Sequence, residues 1–322
     1  MQRSQLTKKT RELLARSGFF TSEEYGLRGV SFDIIARRDN VLLVVKLLSN
    51  IDGFSGANSE EMKMLARLLK GAPVVVGVRC GAGQLADGII YLRHGVPILT
   101  YLTLKEYVEK AIPPFVFAAP GGLYAKIDPD VIKKARRERG LSLGALADIA
   151  GVSRKAIQMY EMGTMSATLP VIDRLEKYLG EPLVTALNPF TFNDRVEPAP
   201  ECAEGVEVDS NMFRRGVFEK LEKLGYHVIP IRKCAFDAVS ESHVKCNILL
   251  TGVGQANKAC LQKAHVMANI SRITEKEAVL FIDRRLTREN IGGMAIIGRD
   301  ELKHIQDEDK IVQLIKARSR GT

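Results

Sequence analysis

Residues Leu143–Met162, LGALADIAGVSRKAIQMYEM, decide how the rest of the chain is read. Apolar or small side chains fall at Leu146, Ala147, Ala150, Val152, Ile157 and Tyr160, with Gly151 between the two halves. Leu146 and Ala150 share one helix face by their spacing, as do Ile157 and Tyr160, so the pattern predicts two short helices across a tight turn. Ala147 is small where the helices must cross. Gly151 stands where that turn needs a left-handed backbone, and Ser153 is placed to cap a second helix starting near Arg154. Facing outward are Ser153, Arg154, Lys155, Gln158 and Met159. Arg and Lys donate to guanine edges or phosphates, Gln pairs with adenine through two hydrogen bonds, and Ser serves either. A polar face alone is ordinary. The apolar pattern with its turn glycine and cap in register is not, and it predicts double-stranded DNA as the partner.

The flanks complete a small helical domain. Asp130 is expected to cap a helix through VIKKARRERG to Gly140, with Val131, Ile132 and Ala135 on one side, and Ser142 to cap the next. In TLPVIDRLEKYLG, Val171, Ile172, Leu175 and Leu179 repeat at helical spacing, Pro170 suits a first turn, and Gly180 ends the run. Through RRERGLSLGALADIAGVSRKAIQMYEMG, residues 128 to about 187 resemble the Cro and phage-repressor type of helix-turn-helix domain. The resemblance implies that Arg154, Lys155 and Gln158 read the major groove while Ser153 caps. It also implies a structural pair between Arg136 on the first helix and Glu161 at the end of the reading helix. One departure stands out: where that family opens its second helix with a glutamine that contacts the phosphate backbone, this chain has Leu143.

The length of 322 residues leaves room for two further domains. We read an α/β domain over 1–112, a linker over 113–127, the helix-turn-helix domain over 128–189, an acidic flexible linker over 190–210, and a second α/β domain over 211–322. The net charge of +9 is unevenly spread: 16 basic and 11 acidic residues in 1–112, 11 and 14 in 113–210, and 20 and 13 in 211–322. That basic excess suits backbone contacts with nucleic acid, but more often marks a solvated surface. No apolar run approaches the roughly 18 residues of a membrane span, and MQRSQLTKKTRELL lacks a signal-peptide core, so a cytoplasmic protein is expected. Cys80, Cys202, Cys234, Cys246 and Cys260 form no Cys-x-x-Cys pair and read as reduced thiols. His243 and Cys246 have metal-compatible spacing, but no second ligand pair accompanies them, and no metal or other cofactor is expected.

In the first domain, TKKTRELLARSGF predicts an amphipathic helix ended by Gly18. FDIIA and VLLVVKLLS predict a hairpin turned at Asp39-Asn40, EEMKMLARLLK a helix, and APVVVGVR a buried strand. GVPILTYL is a third apolar run, leading to Thr103 as the cap of LKEYVEK. Pro113 to Lys126, with three prolines and two adjacent glycines, reads as an extended connector. The last third repeats this order: helix MFRRGVFEKLEKLG, strand YHVIPI, AFDAVSE, KCNILLTGVG, helix KACLQKAHVMANI, strand EAVLFIDRR and MAIIGRDELKHI, with Phe32-Asp33 and Phe236-Asp237 aligned. The expected fold is therefore α/β plus all-α: a central Cro-type helical domain between two α/β domains with mixed sheets.

The order of helix, strand, aspartate, strand ending in lysine, helix and strand resembles the restriction-endonuclease-like fold. RELLARSGF, FDIIA and LLVVKLL are similar to archaeal Holliday-junction resolvases. That resemblance implies an aspartate, then an acid two residues before a lysine, holding Mg²⁺ and assisting the attacking water. Asp33 and Lys46 stand at the matching places, but Val44 occupies the acid's position, and in the second copy Leu250 and Gly252 replace acid and lysine. Glu12, Glu60 and Glu61 are the candidates for a displaced carboxylate. Asp33 and Lys46 are thus read as vestigial and the chain as no enzyme. GAGQLADG and TGVGQAN lack a nucleotide fingerprint and read as turns. The main reading is a sequence-specific transcriptional regulator; against it stand a metal-dependent DNA-processing nuclease steered by the helix-turn-helix, and a nucleoid or antitoxin-like DNA binder. The arrangement as a whole resembles a family of archaeal transcriptional regulators, which favours the first. One short helix contacts few base pairs, so a homodimer is expected.

Overall fold

The computed structural model describes residues 2–23, 31–192, 212–242, 247–255, 257–284 and 289–319. The chain divides into two compact units, Met1–Leu13 with Leu47–Ser55 and Val74–Val196, and Leu14–Lys46 with Gly56–Pro73 and Glu197–Thr322. In chain order the first third forms α1 (Arg3–Arg16), β1 (Phe20–Thr21), β2 (Ile34–Arg38), β3 (Val41–Asn50), α2 (Gly56–Leu68), β4 (Ala72–Cys80), β5 (Gly83–Gln84), β6 (Ile89–Arg93), β7 (Val96–Leu99) and α3 (Tyr101–Lys110). The middle forms β8 (Val116–Ala119), β9 (Gly122–Ala125), α4 (Pro129–Glu138), α5 (Leu143–Ala150), α6 (Arg154–Glu161), β10 (Ala167–Thr168) and α7 (Leu169–Leu179). The last third forms α8 (Met212–Lys223), β11 (Tyr226–Pro230), β12 (Ala238–Ser242), β13 (Ile248–Gly254), α9 (Lys258–Thr274), β14 (Glu277–Ile282), β15 (Asn290–Ile291), β16 (Met294–Gly298), α10 (Arg299–His304) and α11 (Glu308–Ser319).

In the first unit β4 runs parallel to β7, with Val75 opposite Ile98, and β6 lies antiparallel on β7. β8 then runs parallel to β6, β9 antiparallel to β8, and β10 antiparallel to β9 with Ala167 opposite Ala125. The stretch read as an extended connector, Pro113 to Lys126, is therefore a hairpin within a sheet. It turns at Pro120-Gly121-Gly122, where Gly121 has φ +98° and Gly122 φ +142°, values that favour glycine. Two caps differ from expectation. Thr100, not Thr103, caps α3, its hydroxyl accepting from the Thr103 N–H at 3.1 Å. Asp128, not Asp130, caps α4, accepting from Asp130 and Val131 N–H, because Pro129 has no N–H to offer and takes the first helical position.

In the second unit β2 and β3 form the expected antiparallel hairpin, with Ile34 opposite Val45 and Asp39 at φ +51° in the turn. β11, β12 and β13 are antiparallel neighbours, β14 is parallel to β13, and β16 is parallel to β14. β15 closes that sheet antiparallel to β16. The β11-β12-β13 order repeats β1-β2-β3, and the β14, β16, β15 relations repeat those of β4, β7 and β6, so the two α/β parts share one strand plan. Buried Val217, Leu249, Val279, Phe281, Ile297 and Ile311 lie in the core of the second copy. His243, Cys246 and nearly all of the acidic linker lie outside the described residues. No described helix is long and apolar enough to cross a membrane.

Candidate nucleic-acid interface

Four helices build the middle of the chain around Ile132, Leu146, Ala147, Ala150, Ile157, Tyr160, Ile172 and Leu175, all buried. Ala125 and Ile127 of the β9 end and Ala167 of β10 join the same core. Between α5 and α6, Gly151 has φ +65° and its N–H closes α5 on the carbonyls of Ala147 and Asp148. Arg174 of α7 adds a partner that the sequence did not announce: its Nε donates to the Ala150 carbonyl at 2.8 Å, satisfying the open end of α5. The Ser153 hydroxyl accepts from the Ala156 N–H at 3.1 Å and opens α6.

α6 turns Ala156, Ile157 and Tyr160 inward and leaves Ser153, Arg154, Lys155 and Gln158 exposed. Its far end is tied down by Glu161, whose two carboxylate oxygens accept from Arg136 Nε at 2.5 Å and Nη2 at 3.0 Å. Arg136 Nη1 also donates to the Leu141 carbonyl at 2.8 Å, so one guanidinium joins α4, the α4–α5 turn and α6. The hydrogen bonds it donates to Glu161 raise the guanidinium pKa above its ordinary value. Leu143, at the place of the family's glutamine, packs half-buried against the helical core.

The Asp33 carboxylate lies 3.6 Å from the Lys46 ammonium, and both side chains are largely buried. In the second copy the Asp237 N–H donates to the Thr251 carbonyl as the Asp33 N–H does to Val45, which sets Gly252 in the place of Lys46 and Leu250 in that of Val44. A Cβ on Gly252 would come within 2.5 Å of Met267 Sδ, so a lysine there would have to displace the Met267 and Leu280 side chains. The cation comes instead from α9: Lys263 donates to the Asp237 carboxylate and, at 2.9 Å, to the Val253 carbonyl. Sequence order hid this pair, because its lysine left the strand for a helix.

The donor set does not fit the Mg²⁺ that the nuclease-like fold implies. Such sites hold Mg²⁺ with one or two carboxylates beside water and substrate oxygens, but Val44 and Leu250 remove the second carboxylate of each copy, and the first already faces an ammonium, Asp33 that of Lys46 and Asp237 that of Lys263. Glu60 pairs with Lys63 at 2.7 Å, Glu61 accepts from the Arg232 and Lys233 N–H groups, and Glu12 is exposed on α1. Among the described residues no three His, Cys, Asp or Glu side chains gather as a metal site.

Comparison with known proteins supplies the family. Residues 3–114 match the PD-(D/E)XK superfamily domain and residues 132–185 match a helix-turn-helix family. A protein of Methanococcoides burtonii is 36% identical over 310 residues, spanning 96% of this chain and 95% of its own. One from Natronomonas pharaonis is 34% identical over the whole of both chains, and one from Halobacterium salinarum 35% identical over 99% and 98%. All three are provisionally named HTH-type transcriptional regulatory proteins. This chain belongs to that family of archaeal HTH-type transcriptional regulators. The family assignment makes DNA its partner class and a helix-turn-helix its DNA-binding module, carried beside a nuclease-like domain. The reading as a targeted nuclease has less support. No solved structure matches the chain.

Proposed function

We propose that this regulator recognises its operator by laying α6 in the major groove, with Arg154 and Gln158 on base edges, Lys155 on phosphate or guanine, and Ser153 as the cap that sets the helix entry. The observation that carries the reading is the exposure of these side chains on one helix capped at Ser153 and fastened at Glu161. The α/β copies serve as scaffold without cutting DNA, the α/β, helix-turn-helix and α/β parts keep the boundaries read above, and the protein works in the cytoplasm as a homodimer. A single helix of eight residues reaches too few base pairs to rise far above nonspecific affinity, typically about 10⁻⁴–10⁻⁶ M. Selection of bound duplexes from random DNA by the purified full chain, followed by sequencing, should return one motif made of inverted half-sites about one helical turn apart. Sedimentation of the complex should give two chains per site. A monomer on a non-repeated site would end the dimer reading.

A further inference from the structure

A cleft of 660 Å³ opens between the β8–β9 hairpin and the segment that follows α6. Phe117, Tyr124 and Lys126 stand on the hairpin side, and Thr164, Met165 and Ser166 on the other. No acidic side chain is among its lining residues, so Lys126 leaves its walls net positive. Both walls are fixed by backbone contacts. The Lys126 carbonyl accepts from the Thr185 N–H at 2.9 Å and from its hydroxyl at 3.3 Å, and the Lys126 ammonium lies 5.2 Å from the centre of the Phe192 ring. Opposite, Gly163 has φ +67° and the Thr164 N–H and hydroxyl both donate to the Met159 carbonyl.

The hydroxyls around the cleft are not equivalent. Tyr124 donates to the Pro120 carbonyl, Thr164 to Met159 and Thr185 to Lys126. That leaves the Lys126 ammonium and the Ser166 hydroxyl as the side-chain donors of the lining without an acceptor among the described residues, one on each wall. The position of the cleft says what they meet. Lys155 and Gln158 follow one another along the outward face of α6, Met162, which caps its C-terminus, is 63% exposed, and the next residues form the cleft wall. An open, hydroxyl-lined cleft with one cation and no acid suits a phosphate better than the mostly apolar enclosure of a small-molecule pocket.

We propose that Lys126 and Ser166 hold a backbone phosphate of the DNA beside the bases read by α6, making the β8–β9 hairpin part of the DNA interface. The hairpin lies outside the segment that matches the helix-turn-helix family, residues 132–185. This contact rests on the major-groove reading of α6, and it supplies a phosphate anchor in a chain whose Leu143 offers none.

The test is the salt dependence of binding by the full chain to the selected operator and to an unrelated duplex, with circular dichroism to confirm that each variant folds. Lys126→Ala should reduce the slope of log Kobs against log salt by about 0.9, the contribution of one phosphate contact, and weaken both duplexes by the same factor. Lys126→Arg should restore the slope, and Ser166→Ala should weaken both duplexes without moving it. An unchanged slope in Lys126→Ala, or a lost slope that Lys126→Arg does not restore, would overturn the proposal. The Arg154→Ala, Lys155→Ala and Gln158→Ala variants separate the two readings: if all three bind the operator as the parent does while Lys126→Ala lowers the slope, the phosphate contact stands and the major-groove assignment of α6 falls.

Discussion

Arg136 and Glu161 face each other through two parallel hydrogen bonds, at 2.5 and 3.0 Å, and so fasten the first helix of the DNA-binding module to the end of α6. Their side chains are only 13% and 10% exposed, so removing one partner strands a charge that water reaches only in part. Glu161→Ala should cost about 3 kcal/mol in urea unfolding of the helical module. Arg136→Ala should cost a similar amount and also free the Leu141 carbonyl. The double variant Arg136→Met with Glu161→Leu should recover much of the loss, because it leaves no buried charge. A loss under about 0.5 kcal/mol in either single variant, the range of an exposed pair, would contradict the role given to this contact.

Reading and capping should separate on α6. Arg154→Ala and Gln158→Ala are each expected to lose about 1–3 kcal/mol at one base position of the operator, measured by competition with single-substitution duplexes. Lys155→Ala should weaken all sequences alike if its ammonium meets phosphate. Ser153→Ala should cost about 1 kcal/mol of stability through the lost cap and leave base preference unchanged. Equal binding of the parent site by the Arg154, Lys155 and Gln158 variants would remove α6 from the groove.

The Asp33–Lys46 pair should behave as structure, not as catalysis. Lys46 is 8% exposed, and Asp33→Ala would leave its ammonium without the carboxylate 3.6 Å away. The expected result is a lower melting temperature with operator affinity retained. Neither the parent nor the variant should cut duplex, single-stranded or four-way-junction DNA with Mg²⁺ or Mn²⁺. Cleavage by the parent that Asp33→Ala abolishes would establish a nuclease.

Cys260 and Cys80 should differ as nucleophiles. Cys260 is 5% exposed, and burial pushes its thiol above the ordinary range, an effect that nearby Lys263 opposes and Asp237 supports. Cys80 is half-buried. At pH 8 iodoacetamide should alkylate Cys80 well before Cys260, as followed by mass spectrometry of the peptides, and urea should abolish the difference. The folded chain holds the Cys260 proton more tightly than the unfolded chain does. Its contribution to stability is therefore full below the unfolded thiol pKa of about 8.5 and is lost as the pH rises through the higher folded value. Faster alkylation of Cys260 than of Cys80 in the native protein would contradict the burial argument.

The helix-turn-helix was legible in the sequence because each signal that builds it is local. The Leu146–Ala150 and Ile157–Tyr160 spacings, the left-handed Gly151, and the Ser142 and Ser153 caps all act within one or two helical turns, where residue order and spatial neighbourhood coincide. The β2–β3 hairpin was legible for the same reason, its turn lying between the strands it joins. Even a local rule can miss by two residues: Asp130 was expected to cap α4, but Pro129, with no N–H, takes the first helical position and the cap falls on Asp128. Tertiary structure alone decided what depends on distant partners. β10 is two residues long and exists because β9 offers it an edge, and the β8–β9 hairpin is ordered by β6 on one side and β10 on the other. Lys263 reaches Asp237 from a helix 26 residues further on, and Glu61 is spent on N–H groups more than 170 residues away. A carboxylate's identity can be read from the chain, but its partner is set by which backbone and cation the fold brings within hydrogen-bond reach, and that is a property of packing.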